Sequence, residues 1–105
     1  MSARWADVGG ADELSETQPL AVFVDGVALI VVSCGAQLYA VDNMCTHDGE
    51  TFGEAQLEDC QVICPRHGAR FCLKTGAALS PPAYEPLRTY PARLDNGRVL
   101  VELPG

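Results

Sequence analysis

"LAVFVDGVALIVV", residues 20–32, decides the fold: two apolar, β-branched runs flank Asp25-Gly26, the commonest signal for a two-residue hairpin. Working outward, a second turn at Cys34-Gly35 leads into "AQLYAVD", residues 36–42. There Leu38, Ala40 and Asp42 alternate with Tyr39 and Val41 as a short strand requires. Residues 43–59 are polar and turn-rich, with no strand predicted. "CQVIC", 60–64, reads as a brief strand stopped by Pro65, and "ARFCLKTG", 69–76, as another with a glycine stop. "ALSPPAYEPL", 78–87, is a proline-stiffened loop, and "LRTYPARLDNGRVLVEL", 87–103, a closing hairpin over Asn96-Gly97 with Pro91 at a sheet edge. A period of 3.6 is absent beyond one turn in "GADELSE". The expectation is an all-β chain, a small antiparallel sandwich or open barrel, forming a single domain over 1–105.

Composition supports a folded, soluble chain: 48% of residues are hydrophobic and 20% charged. The longest apolar run, "VALIVV" at 27–32, is far short of the roughly 18 residues a membrane helix needs, and "MSARWADVGG" has no signal-peptide character. A cytoplasmic location is expected. Five cysteines, an odd number, then argue for thiols or metal ligands over disulfides. Cys34, Cys60 and Cys72 are expected to be small buried hydrophobes on strands, and Trp5, Phe23, Phe52 and Phe71 to lie in the core. The net charge is −7, and no Lys or Arg occurs between Arg4 and Arg66. Such a surface disfavours nucleic acid and anionic membranes, and steers toward partners with a basic face.

The two histidines sit in "CTH" and "CPRH", so that Cys45, His47, Cys64 and His67 form C-x-H and C-x-x-H on two turns, with residues 48–63 between them. Two thiolates and two imidazoles suffice for a four-coordinate zinc site or for a binuclear iron-sulfur site. Common zinc patterns group two cysteines in one half and two histidines in the other, unlike the interleaved order here.

Together with "HGARF", "KTG" and the segment from Leu79 to Leu103, these motifs resemble the Rieske iron-sulfur proteins over nearly the whole chain, most closely the small ferredoxins of aromatic-ring-hydroxylating dioxygenase systems. The resemblance implies a Rieske-type fold whose cluster-binding subdomain, about residues 43–82, is built from two Cys/His loops and a proline loop. It implies one [2Fe-2S] cluster, with Cys45 and Cys64 on the inner iron and His47 and His67 on the outer. Pro81 and Pro82 would wall the cluster, and Asp48, Gly49, His67 and Gly68 would rim a docking surface. High-potential family members carry an extra cysteine in each turn, joined as a disulfide, and offer serine and tyrosine hydroxyls to the cluster. Glu50, Arg66, Ala69 and Phe71 stand at the matching places, so a potential of about −150 mV is expected.

Both histidines being assigned, no second iron site of two histidines and a carboxylate can be built, and no G-x-G-x-x-G follows a strand. The expected role is therefore a monomeric one-electron carrier, not an enzyme, with no small-molecule substrate. It would take electrons from an NAD(P)H-dependent flavin reductase and pass them to a terminal oxygenase. The alternatives are a small subunit of another reductase, such as assimilatory nitrite reductase, or a structural zinc module.

Overall fold

In the computed structural model, residues 4–46, 48–53, 55–66, 68–81 and 83–104 are described. Among these described residues, ten strands fall into three antiparallel sheets. The first has the order β1 (Arg4–Gly10), β10 (Arg98–Leu103), β9 (Ala92–Asp95). The second runs β2 (Leu20–Val24), β3 (Val27–Cys34), β4 (Gln37–Asp42), β8 (Thr89–Tyr90). The third runs β5 (Gln56–Glu58), β6 (Gln61–Ile63), β7 (Arg70–Cys72). Among the described residues the sole helical turn is a 3-10 turn at Ala11–Glu13, and no helix is long and apolar enough to cross a membrane.

The apolar run in β3 has a physical reason: the strand is buried on both faces. Leu29 and Val31 pack with Ala40 of β4, Tyr90 of β8 and Val99, Val101 and Leu103 of β10. Ile30 and Val32 point the other way, into a cluster with Val41, Phe52, Val62, Phe71 and Leu73. A period of two thus serves two cores at once. With roughly 1.5–3 kcal/mol gained per large apolar side chain removed from water, this central ribbon is the main source of the sheet's stability. The side chains of one core lie under the two Cys/His loops, while the other is closed by the first sheet.

The hairpins over Asp25-Gly26 and Asn96-Gly97 form as read. Pro91 falls between strands, not within one: lacking an N–H, it ends the pairing of β8 with β4 and lets β9 start again on β10. Tyr90, just before it, donates its hydroxyl to Asp42 at 2.6 Å and so locks β8 onto β4.

Several expectations are corrected. β1 was not anticipated from "RWADVGG", whose pairing with β10 is a long-range event that no local pattern announces. β5 lies inside the stretch read as turn, a three-residue strand with one inward apolar residue, Leu57. Cys60 sits in the β5–β6 turn with a positive φ of 58°, not on a strand. The second hairpin turns at Gly35-Ala36, one residue later than read. Phe23 is 74% exposed, because its partner face on β2 is the solvent side, and Trp5 is 37% exposed, covered by Arg93 at 4.2 Å over its ring. Most importantly, Cys34 and Cys60 are joined in a disulfide, where thiols were expected. Their Cα atoms are 5.9 Å apart because β3 ends beside the β5–β6 turn. Cys72 remains a thiol.

The proline loop is fastened at its far end through Gly76. This residue has φ +80°, donates its N–H to Cys72 O at 2.7 Å and accepts Leu87 N–H at 2.7 Å. A Cβ added there would land on the Leu87 carbonyl oxygen, a rigid backbone atom. Gly76→Ala is therefore expected to cost about 2–3 kcal/mol in denaturant unfolding, from positive-φ strain and the clash together. The disulfide closes a loop of 26 residues that contains the first Cys/His turn. Reduction, or Cys34→Ser, should lower unfolding free energy by about 3 kcal/mol in the chain-entropy account, read as a drop in Tm, with free-thiol titration confirming the bond.

Burial, and then the Asp42 carboxylate beside it, push the Tyr90 phenol up to about 12. An unfolded tyrosine titrates near about 10, so the folded chain holds this proton more tightly. The resulting stabilisation is complete below pH 10 and is lost as pH rises through 12. Denaturant titrations of wild type and Tyr90→Phe across this window should show a smaller alkaline loss in the variant.

Candidate metal centre

Cys45 follows β4 and Cys64 follows β6, and the two turns they open share one hydrogen-bonded frame. In the first, Cys45 N–H donates to Glu50 O at 2.8 Å, and Cys45 O accepts Gly49 N–H at 2.8 Å. In the second, Cys64 N–H donates to Ala69 O at 2.8 Å, and Cys64 O accepts Gly68 N–H at 2.9 Å. Each turn is six residues, begins at cysteine, and reverses at a glycine with φ 74°. Among the described residues no atom crowds a Cβ at Gly49 or Gly68, and the positive φ is what favours glycine in "HDGE" and "HGAR".

Each frame delivers its cysteine fully buried, and the two thiols lie within 4.8 Å of one another and of an Asp48 carboxylate oxygen. Metal–sulfur bonds of about 2.3 Å, the length known for zinc, allow thiolates so placed to share one ion. The floor beneath is apolar: Phe52 and Phe71 meet edge to face at 5.7 Å, and Val41, Val62, Ala69 and Leu73 are buried around them. Ala69 and Phe71 are both fully buried. His47, His67 and Pro82 lie outside the described residues. In the chain the histidines follow Cys45 by two positions and Cys64 by three, within the two frames. The donor set therefore fits a centre that takes two thiolates on its inner side.

The proline loop is fastened beside the two turns. Ala78 bridges to Phe71, Leu79 N–H donates to Arg70 O at 2.8 Å, and Ser80 Oγ accepts Arg70 N–H at 3.1 Å. Thr46 of the first turn donates its hydroxyl to Glu85 O at 2.7 Å, tying that turn to the loop. Ala83 and Leu87 are buried, whereas Pro81 and Tyr84 face outward.

A further pair was missed. Arg66, read only as the residue in place of a cysteine, reaches across to the first turn and grips Asp48. Opposite charges in two turns that must converge on one centre were the available signal. The Asp48 hydrogen bond first, then attraction from Cys64, Asp48 and Cys45, hold the guanidinium above its ordinary range.

The Rieske [2Fe-2S] domain family matches residues 4–91. The chain is 33% identical over 103 residues to the ferredoxin component of the naphthalene 1,2-dioxygenase system of Pseudomonas putida, covering 98% of this chain and 99% of that protein. Among solved structures it is similar to the ferredoxin of carbazole 1,9a-dioxygenase from Nocardioides aromaticivorans IC177, with a TM-score of 0.86 and 31% identity over 92% of this chain and 95% of that one. It is also similar to a chain in the complex of reduced oxygenase and oxidised ferredoxin in carbazole 1,9a-dioxygenase, with a TM-score of 0.84 and 31% identity over 92% of this chain and 91% of that one. Twin cysteine turns over an apolar floor agree with the match along the chain, which belongs to the Rieske [2Fe-2S] domain family.

Proposed function

We propose that the chain is the ferredoxin of a multicomponent aromatic-ring dioxygenase system, a monomeric cytoplasmic carrier of single electrons. The whole of 1–105 acts as one Rieske unit, with about residues 43–82 as its cluster-binding part. Cys45 and Cys64 hold the inner iron, and His47 and His67 the outer. The observation that carries this reading is the convergence of two buried thiols from matching frames, in a chain whose two histidines occupy the same frames. When bound, the cluster supplies a site that accepts and returns one electron, and its two thiolates and two neutral imidazoles leave the oxidised form with no net charge, easing reduction relative to an all-cysteine centre.

The chain's own residues supply the rest. Buried Cys45 and Cys64, over the Phe52 and Phe71 floor, keep water from the sulfur side. Gly49 and Gly68 give thin, side-chain-free edges through which a partner can approach closely. The relative seen in complex with its oxygenase supports an oxygenase as electron acceptor. A flavin reductase drawing on NAD(P)H is the proposed donor. Net charge of −7 raises the encounter rate with basic partner faces without demanding a large interface, as fits contacts under about 1,200 Å².

Anaerobically purified protein should be red-brown, contain iron and acid-labile sulfide in the proportion of a [2Fe-2S] cluster, and show a midpoint potential near about −150 mV. It should pass electrons from a dioxygenase-system reductase to its oxygenase, with turnover falling as salt rises. A colourless protein holding zinc alone would overturn the proposal.

A further inference from the structure

We propose that Arg66 is a positioning residue that clasps the two cysteine turns together and sets, through its charge, how readily the centre between them is reduced. The inference rests on the ligand assignment above.

Arg66 belongs to the second turn, yet three hydrogen bonds of its guanidinium go to the first and a fourth to Thr51, the residue just after it. Nε donates to Asp48 Oδ2 at 2.6 Å and Nη2 to Asp48 Oδ1 at 3.0 Å. Nη1 donates to Thr51 O at 2.8 Å and Nη2 to Glu50 O at 3.3 Å. The Glu50 carbonyl is the same group that accepts Cys45 N–H and closes the first frame. Asp48 Oδ1 also accepts Glu50 N–H at 3.0 Å, so the carboxylate orders its own turn while holding the other. Only a planar fork with several fixed donors can take a carboxylate side-on and two carbonyls together; a lysine ammonium supplies the charge without the fork.

The ordinary alternative is a surface ion pair worth little. Isolated exposed pairs contribute about 0–1 kcal/mol, and Arg4–Asp25, Arg70–Glu58 and Arg98–Asp7, with side chains 38–60% exposed, suit that description. Arg98–Asp7 is two-pronged as well, but Arg66 and Asp48 differ in being only 33% and 21% exposed and in being reinforced by two backbone acceptors. They also lie beside the buried thiols, Asp48 within 4.8 Å of both sulfurs. A positive group there favours an added electron and a negative group opposes it, so the two partners act on reduction with opposite sign.

The test uses cluster-loaded full-length protein and the variants Arg66→Gln, Arg66→Lys and Asp48→Asn, read by redox titration and by bleaching of the visible absorbance under a chelator. Arg66→Gln should lower the midpoint potential and Asp48→Asn should raise it, whereas general damage to the fold would move both the same way. Arg66→Lys should keep a midpoint close to wild type but bleach as fast as Arg66→Gln, roughly tenfold faster than wild type, the equivalent of about 1.4 kcal/mol. The double variant Arg66→Gln/Asp48→Asn should bleach no faster than Arg66→Gln alone, since one contact is lost once. If Arg66→Gln fails to fold, Arg66→Lys and Asp48→Asn decide by the same criteria. Midpoints shifting in the same direction, or bleaching at the wild-type rate in loaded variants, overturn the clasp alone. Wild type without iron and sulfide overturns the ligand assignment beneath it.

Discussion

The structure depends on bringing two short turns, each headed by a buried cysteine, face to face. A turn alone cannot hold a thiol out of water. Each frame fixes its cysteine by hydrogen-bonding both the N–H and the carbonyl of that residue, and the paired Phe52 and Phe71 rings close the space beneath. Backbone groups that would otherwise be unsatisfied in a buried loop are thereby used to aim the side chains. The central ribbon exists, in this sense, to carry the turns: β4 ends in one, and the core it shares with β3 is the floor of both.

Redundancy in fastening follows from the same constraint. The first turn is tied to the second by Arg66 and to the proline loop by Thr46, and the chain leading into it is tied to the β2–β3 hairpin by the bond from Asn43 N–H to Ala28 O at 2.9 Å. The proline loop is held in turn at Arg70 and Gly76. The disulfide between Cys34 and Cys60 closes the segment that contains the first turn. A small domain has little core with which to immobilise loops, so discrete polar and covalent ties replace bulk packing. The ties lie around the sides of the site, leaving Gly49 and Gly68 with open space where a Cβ would stand.

Electrostatics divide along the chain in a way that suits a carrier. The stretch between Arg4 and Arg66 has no Lys or Arg, and Arg66, the first after that gap, is bound to Asp48 beside the buried thiols. The remaining acidic surface can steer encounters at long range. Near the proline loop, Leu79 at 48% and Tyr84 at 82% exposed leave apolar surface open to solvent.

The sequence by itself determined the class of fold and laid out the pattern of candidate donors. The spacing of Cys45, His47, Cys64 and His67, the two Asn/Asp-Gly hairpins and the apolar run at 27–32 are local signals, set by φ preferences, periodicity and donor type. Only the tertiary structure decided what depends on segments distant in the chain. Cys34 meets Cys60 because β3 ends beside the β5–β6 turn; Phe23 is exposed because β2 presents that face to solvent; β1 is a strand because β10 is there to pair with it. Arg66 likewise finds Asp48 only once both turns are seated on one core, and no window of sequence records a distance between turns.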